Sequence, residues 1–171
     1  EGGVEVGDEA GAPYSYRPIK HSIIFDRYDE ITLERAIQET ILKILNKGHS
    51  VILVYPIPEV GWSVPHRLLE GRKKPVGMTS DEWLLKHPIS TSYEVYLERT
   101  KSSFDLLDGI SHKNLYRIYP HELVCDRQVK GRCVVHDNEH PFYIDYHHPS
   151  VWYAEMINDL IMEKIDLIVN K

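Results

Sequence analysis

The sequence predicts an α/β protein: part of a three-layer α/β/α arrangement with a short parallel sheet, long loops and a C-terminal helix. Two observations predict it. Twice, a helical pattern ends at a glycine and a strand-like run follows, over residues 32–54 and 90–120. The last apolar-rich run, 148–169, has helical spacing and closes the chain.

The elements follow in order. "EGGVEVGDEAGAP" is rich in Gly and acid without periodicity, so residues 1–19 are expected to be loop or a frayed terminus. In "TLERAIQETILKILNKG" (32–48), Leu33, Ile37, Ile41, Ile44 and Leu45 recur at helical spacing and Gly48 supplies the stop. Val51–Val54 is unbroken, apolar and β-branched in part, as expected of a parallel strand covered on both faces. Helix, glycine turn and strand make the αβ half of a βαβ unit. Residues 56–88 are rich in Pro and Gly and read as loop, interrupted by one short helix at 79–87 with a capping box of Thr79 and Glu82.

The run 90–109 predicts a long helix, with a capping box of Thr91 and Glu94. Its apolar stripe would be Tyr93, Leu97, Thr100, Phe104 and Leu107, ended by Gly109. "NLYRIYP" (114–120) reads as the next strand and "PFYID" as a weaker extended segment. In the closing helix, Pro149 suits the first turn, and Trp152, Met156, Ile157, Leu160, Ile161, Ile165 and Ile168 form the expected buried face. Two firm strands and one weak one fall short of the about five usual in a doubly wound sheet. The chain is therefore expected to be one domain over 1–171 that forms the C-terminal portion of a larger fold.

At 171 residues with 42% hydrophobic composition, the chain can build a real core. A net charge of −6 argues against a nucleic-acid partner, which requires a clustered basic surface. "HRLLEGRKK" (66–74) is short and reads as a solvated loop face. The longest apolar stretch, "VILVYPIP" (51–58), is far below the roughly 20 residues of a spanning helix. No signal-peptide pattern is present.

Cys125 and Cys133 are the two cysteines, with Gly131 between them. Their spacing excludes a CxxC site, and no further thiol supports zinc. A disulfide closing a small loop is expected, which implies an oxidising compartment. The alternative is a pair of unbridged core cysteines.

The polar cluster with most chemistry is "YIDYHHPS" (143–150). Asp145 and His148 stand three positions apart between an extended segment and a helix. That spacing can set the carboxylate against Nδ1–H, fixing the tautomer and leaving Nε2 as a general base. In open α/β sheets such turns lie beyond the strand ends, where ligands bind. The bland alternative is a polar helix start. A zinc site among His136, His140, His147, His148, Asp137 and Asp145 lacks an HExxH or a regular i,i+4 pair, so no metal is expected.

"FYIDYHHPS" opens the last helix shortly after the paired cysteines. It resembles the terminal block of the SGNH hydrolase superfamily, D-x-x-H, commonly D-x-x-H-L-S. Asp145, His148 and Ser150 match it, and Pro149 replaces the usual leucine. "VILVYPIPEVGWSVP" (51–65) is similar to the strand and proline-rich loop of SGNH domains fused behind family 3 membrane acyltransferases. "YPHELVCDRQVKGRC" (119–133) is similar to their cysteine-bearing segment. Those bacterial enzymes O-acetylate cell-surface polysaccharides.

The resemblance implies a flavodoxin-like SGNH fold with Asp145 and His148 as the Asp-His part of a Ser-His-Asp triad. It implies a polysaccharide or sugar acceptor and an acyl donor delivered by a membrane domain. The location implied is periplasmic, tethered to the inner membrane through the parent protein. No cofactor is implied. Tyr146, His147 and Trp62 are candidate sugar-binding residues because aromatic faces pack on pyranose rings; the alternative for Tyr146 and His147 is that they only shape the turn, and Trp62 and Trp83 in their loops carry the same two readings.

The nucleophile of that family lies in an N-terminal G-D-S block. Here Gly7 and Asp8 are followed by Glu9. Ser63, in "GWSVP", lacks the second glycine and the elbow that would expose it. The chain by itself is therefore expected to be inactive, its serine lying in a missing N-terminal part of the domain. The competing expectations are a carbohydrate or lipid esterase of the same superfamily, and a non-catalytic module that binds glycan or protein.

Overall fold

The computed structural model describes residues 22–23, 31–70, 76–137 and 139–170, so the expected N-terminal loop, 1–19, lies outside the described residues. β1 (Ser22–Ile23) pairs antiparallel with β2 (Ile31–Thr32), and α1 (Leu33–Asn46) follows. β3 is Val51–Val54, α2 Val64–Glu70, α3 Ser80–Lys86, β4 Ser90–Ser92 and α4 Tyr93–Asp108. Then come β5 (Leu115–Ile118), a 3₁₀ turn (Pro120–Leu123), β6 (Arg132–Val134) and α5 (Val151–Val169). This is a mixed α/β fold, as the alternation of patterns predicts.

Gly48 takes φ 90°, the left-handed region where glycine meets no Cβ penalty, and so ends α1 and turns the chain into β3. β3 runs parallel to β5, in register from Val51↔Leu115 to Val54↔Ile118. Leu53 and Leu115 of this pair pack with Leu45 of α1 and with Tyr55 and Ile110, and Phe104 and Leu107 of α4 close the cluster. Tyr55 Oη donates to Asp108 Oδ1 at 2.6 Å and accepts from Arg117 Nε at 3.0 Å, which fastens the end of α4 to the sheet. Coverage on both faces is not realised along the whole strand: Val54 is 45% exposed. Its sheet is two-stranded among the described residues, so the end of β3 has one partner.

A second pair was absent from the sequence reading. β4 runs antiparallel to β6, with Thr91 opposite Cys133. Because Ser90–Ser92 is spent on that ladder, α4 starts later than expected and its cap is Ser92, whose side chain accepts from Val95 N. The Thr91–Glu94 capping box does not form; Thr91 is buried in the sheet. Tyr96, not Leu97, is the buried residue of α4, and Leu97 is 43% exposed. The Thr79–Glu82 capping box does form, at the head of α3.

Cys125 and Cys133 are joined in a disulfide. Both are buried in the larger core cluster with Val60, Trp62, Val64, Val124, Val135, Phe142, Tyr143 and Tyr153. Residues 56–88 hold one more helix than expected: α2 starts inside "GWSVP", with Val64 fully buried, and takes in the beginning of the basic run read as loop. Glu59, in the proline-rich loop, pairs with Arg99 of α4 at 2.8 Å. No helix among the described residues is long and apolar enough to cross a membrane.

α5 also begins later than the proline predicts. Pro149 is bridged to Tyr143 and stays outside the helix, and Ser150 is the N-cap. The helix otherwise keeps the expected side: Met156, Ile157, Leu160, Ile161 and Ile168 are all partly buried. Tyr153 is fully buried and Met156 and Ile157 pack on the core, whereas Trp152 is 45% exposed and Ile165 is exposed too.

Candidate active site

The turn at 145–148 is built by backbone pairing on either side of it. Ser150 N donates to Phe142 O at 2.8 Å and Ile144 N to His148 O at 3.0 Å, pinching residues 142–150 into a tight loop. Inside it, Asp145 Oδ1 accepts from the amides of His147 and His148, each at 2.8 Å. Asp145 Oδ2 accepts from His148 Nδ1 at 2.6 Å. The two amides, and then the His148 side chain, hold the Asp145 carboxyl well below the usual carboxylate range. It therefore stays ionised at any ordinary pH. With Nδ1–H directed to the carboxylate, Nε2 is the free nitrogen of a largely exposed imidazole.

The loop 58–64 backs this turn. Val60 N donates to Tyr146 O at 3.0 Å, Val64 N to Asp145 O at 3.1 Å, and Tyr143 Oη to Pro58 O at 2.7 Å. The proline-rich loop and the Asp-His turn, far apart in sequence, thus form one unit. Gly61, at φ 79°, bends the loop between its two contacts.

The other candidates are placed as follows. Tyr146 is 40% exposed, and its ring centroid lies 4.6 Å from that of His147, which in turn lies 3.9 Å from His148. Trp62 does not offer a ring face for sugar: it is 8% exposed within the core, with the Arg67 guanidinium 6.0 Å from its centroid. Its Nε1 has no hydrogen-bond partner. Trp83 lies on α3, is partly buried and stacks on His87, with ring centroids 3.8 Å apart. Ser63 acts as a helix start: its Oγ accepts from His66 N and its carbonyl from Arg67 N.

The histidines divide. His136 is buried and structural, accepting from Ile89 N at 3.0 Å. His140 packs against Trp152. Asp145, His147 and His148 present ligand atoms within 4.8 Å of one another, and of the described residues they are the group able to hold a metal ion.

Sequence reasoning missed the amides of Val60 and Val64, because backbone donors leave no residue signature. It also placed Trp152 on the wrong face. Ser150, a good N-cap, was the available signal for where that helix starts.

A parallel strand pair packed by helices, with an ionised Asp-His pair on the turn that opens the last helix, defines an SGNH hydrolase-type α/β module. The model of the SGNH domain (fused to AT3 domains) matches residues 7–163, and the chain belongs to that family. No curated protein and no solved structure matches the chain.

Proposed function

We propose that this chain supplies the acid–base half of an acyl-transfer site that esterifies a cell-surface polysaccharide. The observation that carries the reading is the 2.6 Å contact between Asp145 and His148, on a turn whose backbone is fixed from three sides. In it, His148 Nε2 takes the proton of a serine hydroxyl as that oxygen attacks the acyl donor, and the proton then goes to the leaving group. An acceptor sugar hydroxyl next gives its proton to Nε2 and attacks the acyl–serine ester. The acyl–oxygen bond breaks, and the proton returns to the serine. Asp145 holds the imidazole and stabilises its charged form throughout.

No Gly-Asp-Ser stands in these 171 residues, so the serine of this reading is contributed by chain outside them. The donor would be delivered by a membrane acyltransferase domain, in keeping with the fusion that the family description names. The Cys125–Cys133 disulfide supports an oxidising, periplasmic setting. Tyr146 and His147, beside the dyad, would face the acceptor.

Labelling with a serine-reactive fluorophosphonate, read by intact mass, tests this on the present chain and on one extended upstream. Label on the extended form alone supports the reading. Label on the present chain would place the nucleophile within it, with Ser63 the first residue to check, and would overturn the division of roles. No label on either favours a second reading, a non-catalytic glycan- or protein-binding module, to which the engaged Ser63 and the missing Gly-Asp-Ser already lend support.

A further inference from the structure

Asp137 and His140 repeat, in the loop just before the dyad, the D-x-x-H spacing of Asp145 and His148. The local geometry repeats as well. Asp137 Oδ1 accepts from Glu139 N at 2.7 Å and from His140 N at 2.6 Å. The imidazole differs in its partner. His140 Nδ1 stands off at 3.5 Å from the carboxylate, and the ring lies against Trp152, with centroids 3.8 Å apart and planes at 37°.

Trp152 is on the first turn of α5, directly after the dyad turn, and is 45% exposed. Ser150 ties the two loops to this helix start: its Oγ donates to Pro141 O at 2.6 Å, and its amide to Phe142 O. The loop that carries His140 and the turn that carries His148 are thus both tied to the helix start that carries Trp152. An indole at the surface, packed against a tilted imidazole beside a polar turn, is an aromatic face with little conformational freedom left to lose on binding.

We propose that Trp152, backed by His140, is the platform on which a pyranose ring of the acceptor stacks, on the helix turn that follows His148. The C–H face of a pyranose is apolar and weakly positive, which complements the electron-rich indole face. His140 is a positioning residue: it fixes the indole and need not touch sugar. The inference rests on the reading of the site as a sugar acylation centre and names where its acceptor binds.

The test uses the purified chain with ¹⁵N-labelled tryptophan. The three indole N–H signals are followed while cellohexaose, maltohexaose, mannohexaose, xylohexaose and oligogalacturonate are added in turn. The expected result is that at least one saccharide shifts the Trp152 signal and leaves Trp62 and Trp83 in place. By calorimetry, Trp152→Ala should abolish that binding, Trp152→Phe should keep it with several-fold weaker affinity, and His140→Ala should also weaken it several-fold. A Trp152 signal unmoved by all five, or binding unchanged in Trp152→Ala, overturns the platform. If fluorophosphonate labelling fails while the Trp152 shift persists, only the transfer reading falls. If labelling succeeds and no saccharide moves Trp152, only the platform falls.

Discussion

The amide of Val64, the first residue of α2, donates to the carbonyl of Asp145 at 3.1 Å. The acid of the dyad is therefore held at both ends: its main chain by the proline-rich loop, its carboxylate by its own turn. Position, as much as charge, is what the surrounding residues supply.

In the acyl-transfer reading, removing the base is the most damaging change. His148→Ala in the whole protein should lower polysaccharide acylation by about 10²–10⁴-fold, the range for a positioned general base. Asp145→Asn should be damaging too, since an amide no longer favours the required tautomer or the imidazolium. Ester content of the polysaccharide is the readout. Ser63→Ala, by contrast, should leave acylation intact.

Ser150 caps α5 and also donates to Pro141 O, and it is buried. Ser150→Ala should cost about 1–2 kcal/mol, as N-cap losses do. The urea midpoint should fall while the helical content of the folded state is unchanged. A midpoint equal to that of the parent would show that the cap carries no stability.

The disulfide closes a short loop and pins β6 to the segment after the 3₁₀ turn. Reduction should remove about 2–3 kcal/mol, the chain-entropy value for a loop of this size. Denaturation with and without a thiol reductant measures it. Cys125→Ala together with Cys133→Ala should match the reduced protein.

Stability should fall in two stages as acid is added. His121 and His136 are buried, and desolvation lowers both pKa values, against a smaller upward push from Glu122 on His121 and from Asp137's carbonyl and charge on His136. The unfolded chain then binds protons first. Stability is full above the unfolded histidine value of about 6.5 and is lost as pH falls from there toward the folded values. Asp145 and Asp126 have depressed pKa values, through backbone amides first. Their contribution is present above the unfolded value of about 3.9 and is lost only as pH falls further.

Urea midpoints across pH should show both steps. His121 sits among the rings of Tyr93, Tyr96, Phe104 and Tyr119, and its Nδ1 has no partner. His121→Phe should therefore flatten part of the first step. A midpoint constant down to about pH 5 in the parent protein would contradict the assignment of that step to buried histidine.

The local signals in the sequence were read well. The periodic run ending at Gly48, the apolar strand after it and the Thr79–Glu82 cap each depend on neighbours within a few positions. Asp145 and His148 are also neighbours, so their contact could be anticipated. What failed was long-range. Ser90–Ser92 looks like a helix start and becomes a strand only because Arg132–Val134 pairs with it. Pro149 suits a first helical position until its bridge to Tyr143 is known. Trp152 fits the apolar stripe by spacing, yet its neighbour Tyr153 fills the core and Trp152 stays at the surface. Trp62 sits in a loop by pattern, yet the burial of Val60 and Val64 on either side draws it inward.

Asp145 accepts three hydrogen bonds with one carboxylate: two shape the loop, and one orients the imidazole. Closing the loop and orienting the imidazole are therefore a single event. Once the loop has closed, the two amides hold the carboxylate in its charged form against the imidazole, so the group that stabilises a positive imidazole is already in place. A ligand arriving at this corner would find its base set in advance, so selectivity would have to come from the surface around the dyad and not from assembling it.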